Sequence, residues 1–328
     1  MPLPSLRQYQ SSAVTAIRSA WSGGKHKILY VSPTGSGKTV VFAHLVAQES
    51  DPVLVVCPRR EIVHQCAERI AQAGCDVGLL LGPSSPGDSK VVVTTNDTAS
   101  LRELKDRFGL LVLDEAHHCQ SRRDRKLLTR FPRARVLGPT ATPVRLDGKP
   151  LGAVFQQIVE TTTVQKLTDQ GYLVPLRVYA RPERLARIGF SRKARDFSPR
   201  SSARAMIPLV GDVVEEWGRL ARGKRTIVYC CTVAHAEAVV EKFTSSGTKA
   251  ELLTGTTPRG ARKDMIRRIS EGELKVICNV EVLTEGVDVP ELECVVLARP
   301  TLSLSLHLQM LGRALRTSET TGKREALC

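Results

Sequence analysis

Residues 27–39 read KILYVSPTGSGKT, and this stretch constrains the fold of the chain more than any other. An apolar, strand-like run is followed by a loop with two glycines and then by residues that can begin a helix. Strand–loop–helix units of this kind build parallel α/β sheets. Backbone N–H groups converge at the start of such a helix, where the helix dipole favours an anion. We therefore expect an α/β fold that contains a phosphate-binding loop.

The residues of this loop predict a nucleoside triphosphate ligand. Gly35 and Gly37 allow the backbone to approach the phosphates closely, Lys38 would reach the β- and γ-phosphates, and the Thr39 hydroxyl would hold Mg²⁺. The remaining predicted nucleotide-binding residues of the loop are Thr34 and Ser36. The pattern GxxxxGK[ST] expects glycine where Ser32 stands, but the following PTGSGKT is intact. ATP and Mg²⁺ are the expected cofactors.

The second informative stretch is residues 110–117, LLVLDEAH. Four apolar residues precede Asp114, so its carboxylate emerges at the carboxyl end of a strand, where α/β sheets bind their ligands. An anionic oxygen there can hold Mg²⁺ directly or through water. Glu115 is then placed to orient and deprotonate an attacking water. We expect His117 to couple the nucleotide to the neighbouring domain.

Apolar runs alternate with helical patterns along the whole chain, which predicts two doubly wound parallel-sheet domains. The predicted strands are 27–31, 53–57, 77–81, 90–94, 110–113 and 135–138, then 226–230, 249–253, 275–278 and 294–297. The predicted helices include 59–73, 233–243, 259–269 and 303–315. We expect domains at 1–172 and 205–328, joined by a segment at 173–204.

The joining segment is strongly basic. Residues 181–204 contain eight basic residues and two acidic ones. The basic residues are Arg181, Arg184, Arg187, Arg192, Lys193, Arg195, Arg200 and Arg204, and the acidic ones are Glu183 and Asp196. The segment can be a solvated, mobile linker or a basic arm that touches nucleic acid, and the two interpretations are compatible. The formal net charge of +15 also admits a merely solvated surface or a polyanionic partner.

Composition excludes several classes of protein. The 42% hydrophobic and 25% charged residues are typical of globular domains rather than disordered chains. No apolar run approaches the ~18 residues that cross a bilayer, and residues 1–10 lack a secretion-signal pattern, so we expect a cytoplasmic protein.

Several cysteines lie in or beside apolar runs, where a reduced thiol behaves as a small hydrophobic side chain. They are Cys57, Cys230, Cys278 and Cys328. The sequence contains no CxxC pair, so we do not expect a zinc site.

With these motifs in place, the chain resembles superfamily-two helicases and translocases of the DEAH/DExH kind, over nearly its whole length. The resemblance implies two tandem RecA-like domains. Residues 6–10, LRQYQ, look like the adenine-recognition motif, in which Gln10 would read the adenine edge with Arg7 nearby. Residues 139–143, PTATP, look like the motif that couples hydrolysis to domain movement.

The resemblance also implies residues that contact nucleic acid and nucleotide from several further motifs. Residues 56–65, VCPRREIVHQ, and 93–95 are similar to the nucleic-acid motifs, and residues 278–290, CNVEVLTEGVDVP, to a fifth motif. The expected contacts to the phosphate backbone are Arg59, Thr94, Thr95, Thr254 and Thr284. Gly286 and Asp288 are expected at the nucleotide.

Residues 309–316, QMLGRALR, match the sixth motif of the family, QxxGRxxR. We expect Arg313 and Arg316 to lie one helical turn apart, facing the same way. From the second domain they would stabilise the charge that spreads over the γ-phosphoryl group, an effect of roughly 10³–10⁵ in rate.

Residues 141–152 and 171–180 look most like the DNA-repair and type III restriction-like branch of the superfamily, which points to DNA. The chain stops at Cys328, just after residues 323–327 begin what resembles the closing strand of the second domain. Family members usually continue, so we expect a shortened, less stable second domain without a nuclease or specificity module.

The resulting hypothesis is an ATP-dependent helicase or translocase that grips the phosphate backbone, with little sequence specificity. Several alternatives stay open at this point. The chain could be an RNA helicase, a DNA translocase that does not unwind, or a nucleic-acid-binding module with an inactive ATPase. A transport-type ATPase would not explain the sequence QMLGRALR.

Overall fold

The computed structural model of the chain describes residues 5–104, 106–118, 122–143, 151–180, 187–192, 196–283 and 289–328, without side chains at 118 and 122–125. Its contacts divide the chain into two compact units, Met1–Thr163 and Val164–Cys328. This division falls before the domain boundary expected at residue 172. The ordered elements within 173–204 therefore belong to the second unit.

The first unit is built around a seven-stranded sheet in which every strand pairs in parallel. Its strands are β1 (Lys27–Val31), β2 (Val53–Cys57), β3 (Val77–Leu80), β4 (Val91–Thr95), β5 (Leu110–Leu113), β6 (Arg135–Thr140) and β7 (Gln157–Glu160). Its helices are α1 (Gln8–Ser22), α2 (Lys38–Ala47), α3 (Arg60–Gln72), α4 (Asn96–Leu101) and α5 (Arg122–Arg130). The strand order is β3-β4-β2-β5-β6-β1-β7.

Both faces of this sheet are buried, which explains its nearly continuous apolar strands. Along β2, Val53, Val55 and Cys57 pack into the core formed with α1, α2 and α3, whereas Leu54 and Val56 pack into the core on the opposite face. This alternation follows from the two-residue period of a strand. It also decides which side chains at the strand ends point to the same face.

Helix α1 is an element that the predicted set of helices does not contain. Its sequence carries apolar residues at Ala13, Val14, Ile17 and Ala20, a spacing that forms one buried face. The backbone N–H of Arg7 donates to the Gln10 side chain at 3.0 Å, which satisfies an otherwise unpaired donor at the start of the helix. The adenine-recognition motif therefore forms the first turn of a helix.

The second unit contains a six-stranded parallel sheet and a short antiparallel pair. Its strands are β8 (Leu176–Arg177), β9 (Phe190–Ser191), β10 (Asp196–Phe197), β11 (Thr226–Cys230), β12 (Ala250–Leu253), β13 (Val276–Asn279), β14 (Cys294–Ala298) and β15 (Ala326–Leu327). Its helices are α6 (Val164–Asp169), α7 (Pro199–Met206), α8 (Val210–Leu220), α9 (Val233–Ser245), α10 (Arg259–Glu271) and α11 (Leu304–Gly312). The sheet order is β12-β13-β11-β14-β15-β8.

The two parallel sheets with their helices confirm the predicted α/β class. The ten predicted strands are all present, with ends that differ by at most two residues. Strands β7 and β8 are not among the predicted strands, because their short sequences become strands only by pairing with the edges of existing sheets. Strand β15 lies within residues 323–327, where the closing strand of the second domain is expected.

The described part of the basic segment contains regular elements. Strands β9 and β10 pair, α7 follows, and the buried Asp196 accepts hydrogen bonds from Thr301 Oγ1 and Leu302 N, each at 2.7 Å. The described arginines of the segment, Arg187, Arg192, Arg200 and Arg204, are exposed. The other basic residues of 181–195 lie outside the described residues.

Within the described part of the chain, none of the helices combines the length and the apolar character that a membrane span requires.

Candidate functional site

The loop between β1 and α2 has the backbone that close phosphate approach requires. Gly35 and Gly37 have φ angles of 86° and 81°, in the left-handed region that glycine adopts without a steric cost. Gly37 is the N-cap of α2, so Lys38 and Thr39 begin the helix directly after the loop. Lys38 Nζ lies 3.3 Å from the carbonyl oxygen of Ser32 and donates to it. The Lys38 ammonium and the start of α2 therefore both lie at the loop that follows β1.

Ser32, which stands where the loop pattern expects glycine, is fully buried and well accommodated. Its hydroxyl donates to Ser36 Oγ at 2.7 Å, so the two serines satisfy each other inside the loop. Burial raises the pKa of the neighbouring Tyr30 to about 12, which keeps that phenol neutral. The departure from the pattern therefore adds an internal hydrogen bond rather than a clash.

The first turn of α1 is bonded to the phosphate loop. Gln10 Nε2 donates to the carbonyl oxygen of Ser36 at 3.0 Å, and Tyr9 Oη donates to the same oxygen at 2.6 Å. Arg7 Nη1 lies 3.4 Å from Tyr9 Oη. Sequence reasoning singled out Arg7 and Gln10 but missed Tyr9, although it stands between them in the same motif. The structure therefore brings the predicted adenine motif and the predicted phosphate loop together.

Asp114 and Glu115 follow β5 directly, at the carboxyl end of the sheet. Asp114 N donates to Val56 O at 2.9 Å, which continues the pairing with β2, and the side chain is partly exposed. Glu115 has a φ of 51°, a left-handed conformation that costs a non-glycine residue about 1–3 kcal/mol and often marks a functional site.

His117 links these carboxylates to the PTATP motif. It is buried, and its Nδ1 lies 3.0 Å from Thr140 Oγ1 and 3.4 Å from Glu115 Oε2. Thr140 Oγ1 in turn donates to Thr142 O at 2.9 Å. Thr140 ends β6, and its carbonyl oxygen accepts from Ser32 N at 3.0 Å. Three motifs are thereby joined across the neighbouring strands β5, β6 and β1.

The residues of this edge fit ATP and Mg²⁺. A side-chain Cβ at Gly37 would lie 2.7 Å from Gln10 Nε2, so only glycine leaves the loop its close-packed shape. Glu115 Oε2 is buried, and apart from His117 Nδ1 at 3.4 Å it has no hydrogen-bond partner among the described residues, as expected of an oxygen that faces a polar ligand or water. Thr39 and Asp114 supply the hard oxygen ligands that Mg²⁺ prefers.

The expectation that Arg313 and Arg316 lie on one helical turn is wrong. Helix α11 ends at Gly312, Arg313 is its C-cap, and Arg316 forms an isolated β-bridge with Leu173. The chain leaves the helix because Leu315 O accepts from Val174 N at 2.8 Å, a partner distant in sequence. Both arginines nevertheless line one small cavity with Leu283 and other apolar residues of the second unit.

Two of the predicted nucleic-acid contacts have hydroxyls that make hydrogen bonds within the fold. Thr94 is fully buried, and its hydroxyl donates to Leu80 O at 2.7 Å. Thr95 is 7% exposed, and its hydroxyl caps α4 by accepting from Thr98 N at 3.3 Å. Both hydroxyls make hydrogen bonds within the fold, that of Thr94 at the end of β4 and that of Thr95 at the start of α4.

The remaining predicted contacts have different surroundings. Arg59 is the N-cap residue of α3 and is partly exposed. Thr254 is 8% exposed, and its hydroxyl lies 2.9 Å from Thr256 Oγ1. The predicted site residues Thr284, Gly286 and Asp288 lie outside the described residues.

Comparison with known families agrees with these motifs. Residues 3–145 match the family described as type III restriction enzyme, res subunit. Residues 208–318 match the helicase conserved C-terminal domain. The first match covers the phosphate loop and both carboxylates, and the second covers Arg313 and Arg316.

Similar proteins span the whole chain but are longer than it. A 51.5 kDa protein of a Lactococcus phage is 29% identical over 87% of this chain and 62% of its own length. The candidate ATP-dependent helicase IRC3 of Saccharomyces cerevisiae is 27% identical over 95% of this chain and 50% of its own. The DNA 3'-5' translocase XPB2 of Sulfurisphaera tokodaii is 26% identical over 96% and 79%. The chain thus spans about half to four-fifths of these relatives.

A solved structure shows the same fold. A fragment of a candidate HsdR subunit of a type I restriction enzyme from Vibrio vulnificus aligns with a TM-score of 0.75 at 22% identity, over 98% of this chain and 63% of that one. The two family matches and the motifs within them are consistent with a superfamily-two helicase of the DNA-repair and restriction branch.

Proposed function

We propose that this chain hydrolyses ATP at the loop 32–39 and uses the hydrolysis to move along nucleic acid. The observation that carries the proposal is the joining of three motifs at one edge of the first sheet. The phosphate loop follows β1, the DEAH sequence follows β5, and the PTATP motif ends β6 between them. The hydrogen bonds of Thr140 and His117 connect all three.

Each residue at this edge has a role that its chemistry supports. Lys38 and the N–H groups of the loop would bind the β- and γ-phosphates, and Thr39 with Asp114 would hold Mg²⁺, which neutralises the phosphate charge. Glu115 would orient the attacking water and accept its proton. His117 and Thr140 would transmit the state of the phosphates to the PTATP motif. Gln10 would read the adenine edge.

The roles of Arg313 and Arg316 rest on the QMLGRALR sequence and on their common cavity. A guanidinium is always charged and can stabilise the charge that develops on a transferring phosphoryl group. We therefore assign them to the same reaction, in the second unit. Gly286 and Asp288 belong to the proposal on sequence grounds alone.

DNA is the proposed substrate in preference to RNA. The relative from Sulfurisphaera tokodaii is named a DNA translocase, and residues 141–152 and 171–180 resemble the repair and restriction branch. The formal net charge of +15 and the exposed arginines of the basic segment support contact with a phosphate backbone. A role in DNA repair belongs to the same proposal.

The test of hydrolysis is the Lys38→Ala variant. Loss of the lysine removes the charge that binds the β- and γ-phosphates, so turnover of ATP is expected to be abolished. Lys25→Ala is the matched control, because Lys25 is exposed in the turn after α1 and lies outside the phosphate loop. Steady-state phosphate release with duplex DNA present is the measurement. Normal turnover by Lys38→Ala would end the proposal.

Hydrolysis alone does not show whether the strands of a duplex are separated. A strand-displacement assay with a labelled oligonucleotide distinguishes unwinding from translocation along an intact duplex. Displacement that requires ATP supports a helicase. ATP turnover stimulated by duplex DNA without displacement supports a translocase.

A further inference from the structure

Two cysteines and a carboxylate meet at the carboxyl edge of the first sheet. Cys57 ends β2, Cys66 lies in α3, and Asp114 follows β5. Their potential ligand atoms, two thiol sulfurs and a carboxylate oxygen, all lie within 4.8 Å of one another. Sequence spacing gave no sign of this cluster, because its members come from three elements and include no CxxC pair.

The fold explains why these three side chains converge. Val56 pairs with Leu113 in the parallel register of β2 and β5, so Cys57 and Asp114 occupy the next position on each strand. Cys57 belongs to the core on the α3 face of the sheet, and Cys66 belongs to the same core. The cluster is therefore fixed by sheet register and helix packing rather than by a loop.

The chemistry of the cluster suits a thiophilic divalent cation. Zinc takes tetrahedral sites made of cysteine sulfur and carboxylate oxygen, and sites with three protein ligands keep a fourth position open. Mg²⁺ prefers six oxygen ligands, so the two sulfurs favour zinc-class cations over it. On binding, the cation replaces the protons of both thiols, and its two positive charges meet two thiolates and one carboxylate, so the occupied site carries one net negative charge.

We propose that Cys57, Cys66 and Asp114 form a site for a cation of the zinc class. Cys57 is fully buried and Cys66 is 2% exposed, whereas Asp114 is partly exposed. The carboxylate therefore forms the solvent side of the site, and the cation enters past it.

Occupation of this site inhibits the proposed ATPase. Asp114 is the carboxylate assigned above to Mg²⁺, and a carboxylate held by a second cation is less available to it. This regulatory part rests on the proposed function. Binding of the cation itself does not, since it needs only the three side chains.

The binding test uses Co²⁺ alone as the probe, because cobalt bound to thiolates gives a charge-transfer absorption band that aqueous Co²⁺ lacks. Titration of the full chain is expected to produce the band with one Co²⁺ per chain, and Zn²⁺ is expected to remove it. Cys57→Ala and Cys66→Ala are each expected to lose the band. A band that survives in either variant overturns the proposal, as does its absence from the unaltered chain.

A matched control and a second variant distinguish loss of the metal site from misfolding of the chain. Cys230 and Cys278 also form a buried thiol pair, in the second unit, joined by a side-chain hydrogen bond. Cys230→Ala is expected to keep the band, since its loss leaves the Cys57 site intact. Asp114→Asn changes a partly exposed position and is expected to weaken Co²⁺ binding while the thermal unfolding transition is retained. Unchanged Co²⁺ affinity in a folded Asp114→Asn would exclude the carboxylate.

The regulatory part is tested by turnover of ATP with excess Mg²⁺ and increasing Zn²⁺. Inhibition that a chelator reverses and that Cys57→Ala and Cys66→Ala lack supports it, whereas equal inhibition of all three proteins overturns it. If no protein hydrolyses ATP, the proposed function fails, and the cobalt band still decides the metal site.

Discussion

Gly37 connects backbone conformation to nucleotide recognition. Its φ of 81° is in the region that favours glycine, and a Cβ there would approach Gln10 Nε2 to 2.7 Å. The Gln10 amide would have to leave the carbonyl oxygen of Ser36, to which it donates. A single methyl group would therefore disturb the phosphate loop and the adenine motif together.

Gly37→Ala is expected to raise the KM for ATP by about fivefold or more, the equivalent of one lost hydrogen bond of about 1 kcal/mol. Gly24→Ala is the matched control, because Gly24 has a φ of 80° but nothing lies within 4 Å of its Cβ position. Each variant should lose about 1–2 kcal/mol of unfolding free energy from the left-handed backbone. Equal ATP affinities in the two variants would contradict this account of the loop.

At the site, the residues that sequence predicts best are those whose role is set by local motif. Lys38 and Thr39 begin the helix after the glycine loop, and Asp114 and Glu115 follow β5 directly, so their place at the sheet edge can be read from the chain. The hydroxyls of Thr94 and Thr95 could not be assigned in this way, because their partners, Leu80 O and Thr98 N, are known only from the fold. Tyr9 could not be assigned from sequence either, because its partner, Ser36 O, is also known only from the fold.

At the scale of elements, the segment after α11 is held by Lys323. Its Nζ donates to Ala314 O at 2.8 Å and to Leu292 O. Ala314 stands between the two arginines of the QMLGRALR motif. The lysine therefore holds Ala314 close to Leu292, just before β14.

The environment of Lys323 makes this anchor sensitive to pH. Burial lowers the pKa of Lys323 from 10.5 to about 8, Glu293 and Glu291 oppose the shift, and Arg316 adds to it. Between these two values the unfolded chain binds more protons than the folded chain, so stability at this site rises with pH. Below about pH 8 the lysine is charged in both states and its burial is unfavourable.

Comparison of the unaltered chain with Lys323→Met tests this sign. The free energy of unfolding of the unaltered chain, minus that of the variant, is expected to increase as pH rises from about 8 to 10.5. Urea denaturation at a series of pH values measures it. Lys25→Met, at an exposed lysine, should show a flat difference over the same range. A difference for Lys323 that stays flat or falls with pH would show that the pKa of this lysine is not lowered in the folded chain.

Elements could be predicted from sequence where their burial pattern is continuous. The central strands of both sheets are apolar on both faces, so β1, β2, β5 and β11 stand out along the chain. The end of α11 could not be predicted, because nothing in QMLGRALR marks it. The bridge between Arg316 and Leu173 ends the helical path, and that pairing is set by the second sheet.

For the whole molecule, the dominant physical property is its positive charge. Displacement of counterions from DNA makes binding by a chain with a formal net charge of +15 steeply dependent on salt. Stimulation of ATP hydrolysis by subsaturating duplex DNA is expected to fall by at least tenfold between about 50 and 200 mM salt. Hydrolysis without DNA serves as the control and should vary little. A DNA response that is independent of salt would count against contact through the phosphate backbone.

The central claim is that ATP turnover in this chain serves movement on nucleic acid. The most direct measurement is the rate of ATP hydrolysis by the full chain with no nucleic acid, single-stranded DNA, duplex DNA and RNA of matched sequence. We predict that DNA accelerates turnover and that duplex or single-stranded DNA does so more than RNA. Turnover that is the same with and without every nucleic acid would contradict the account.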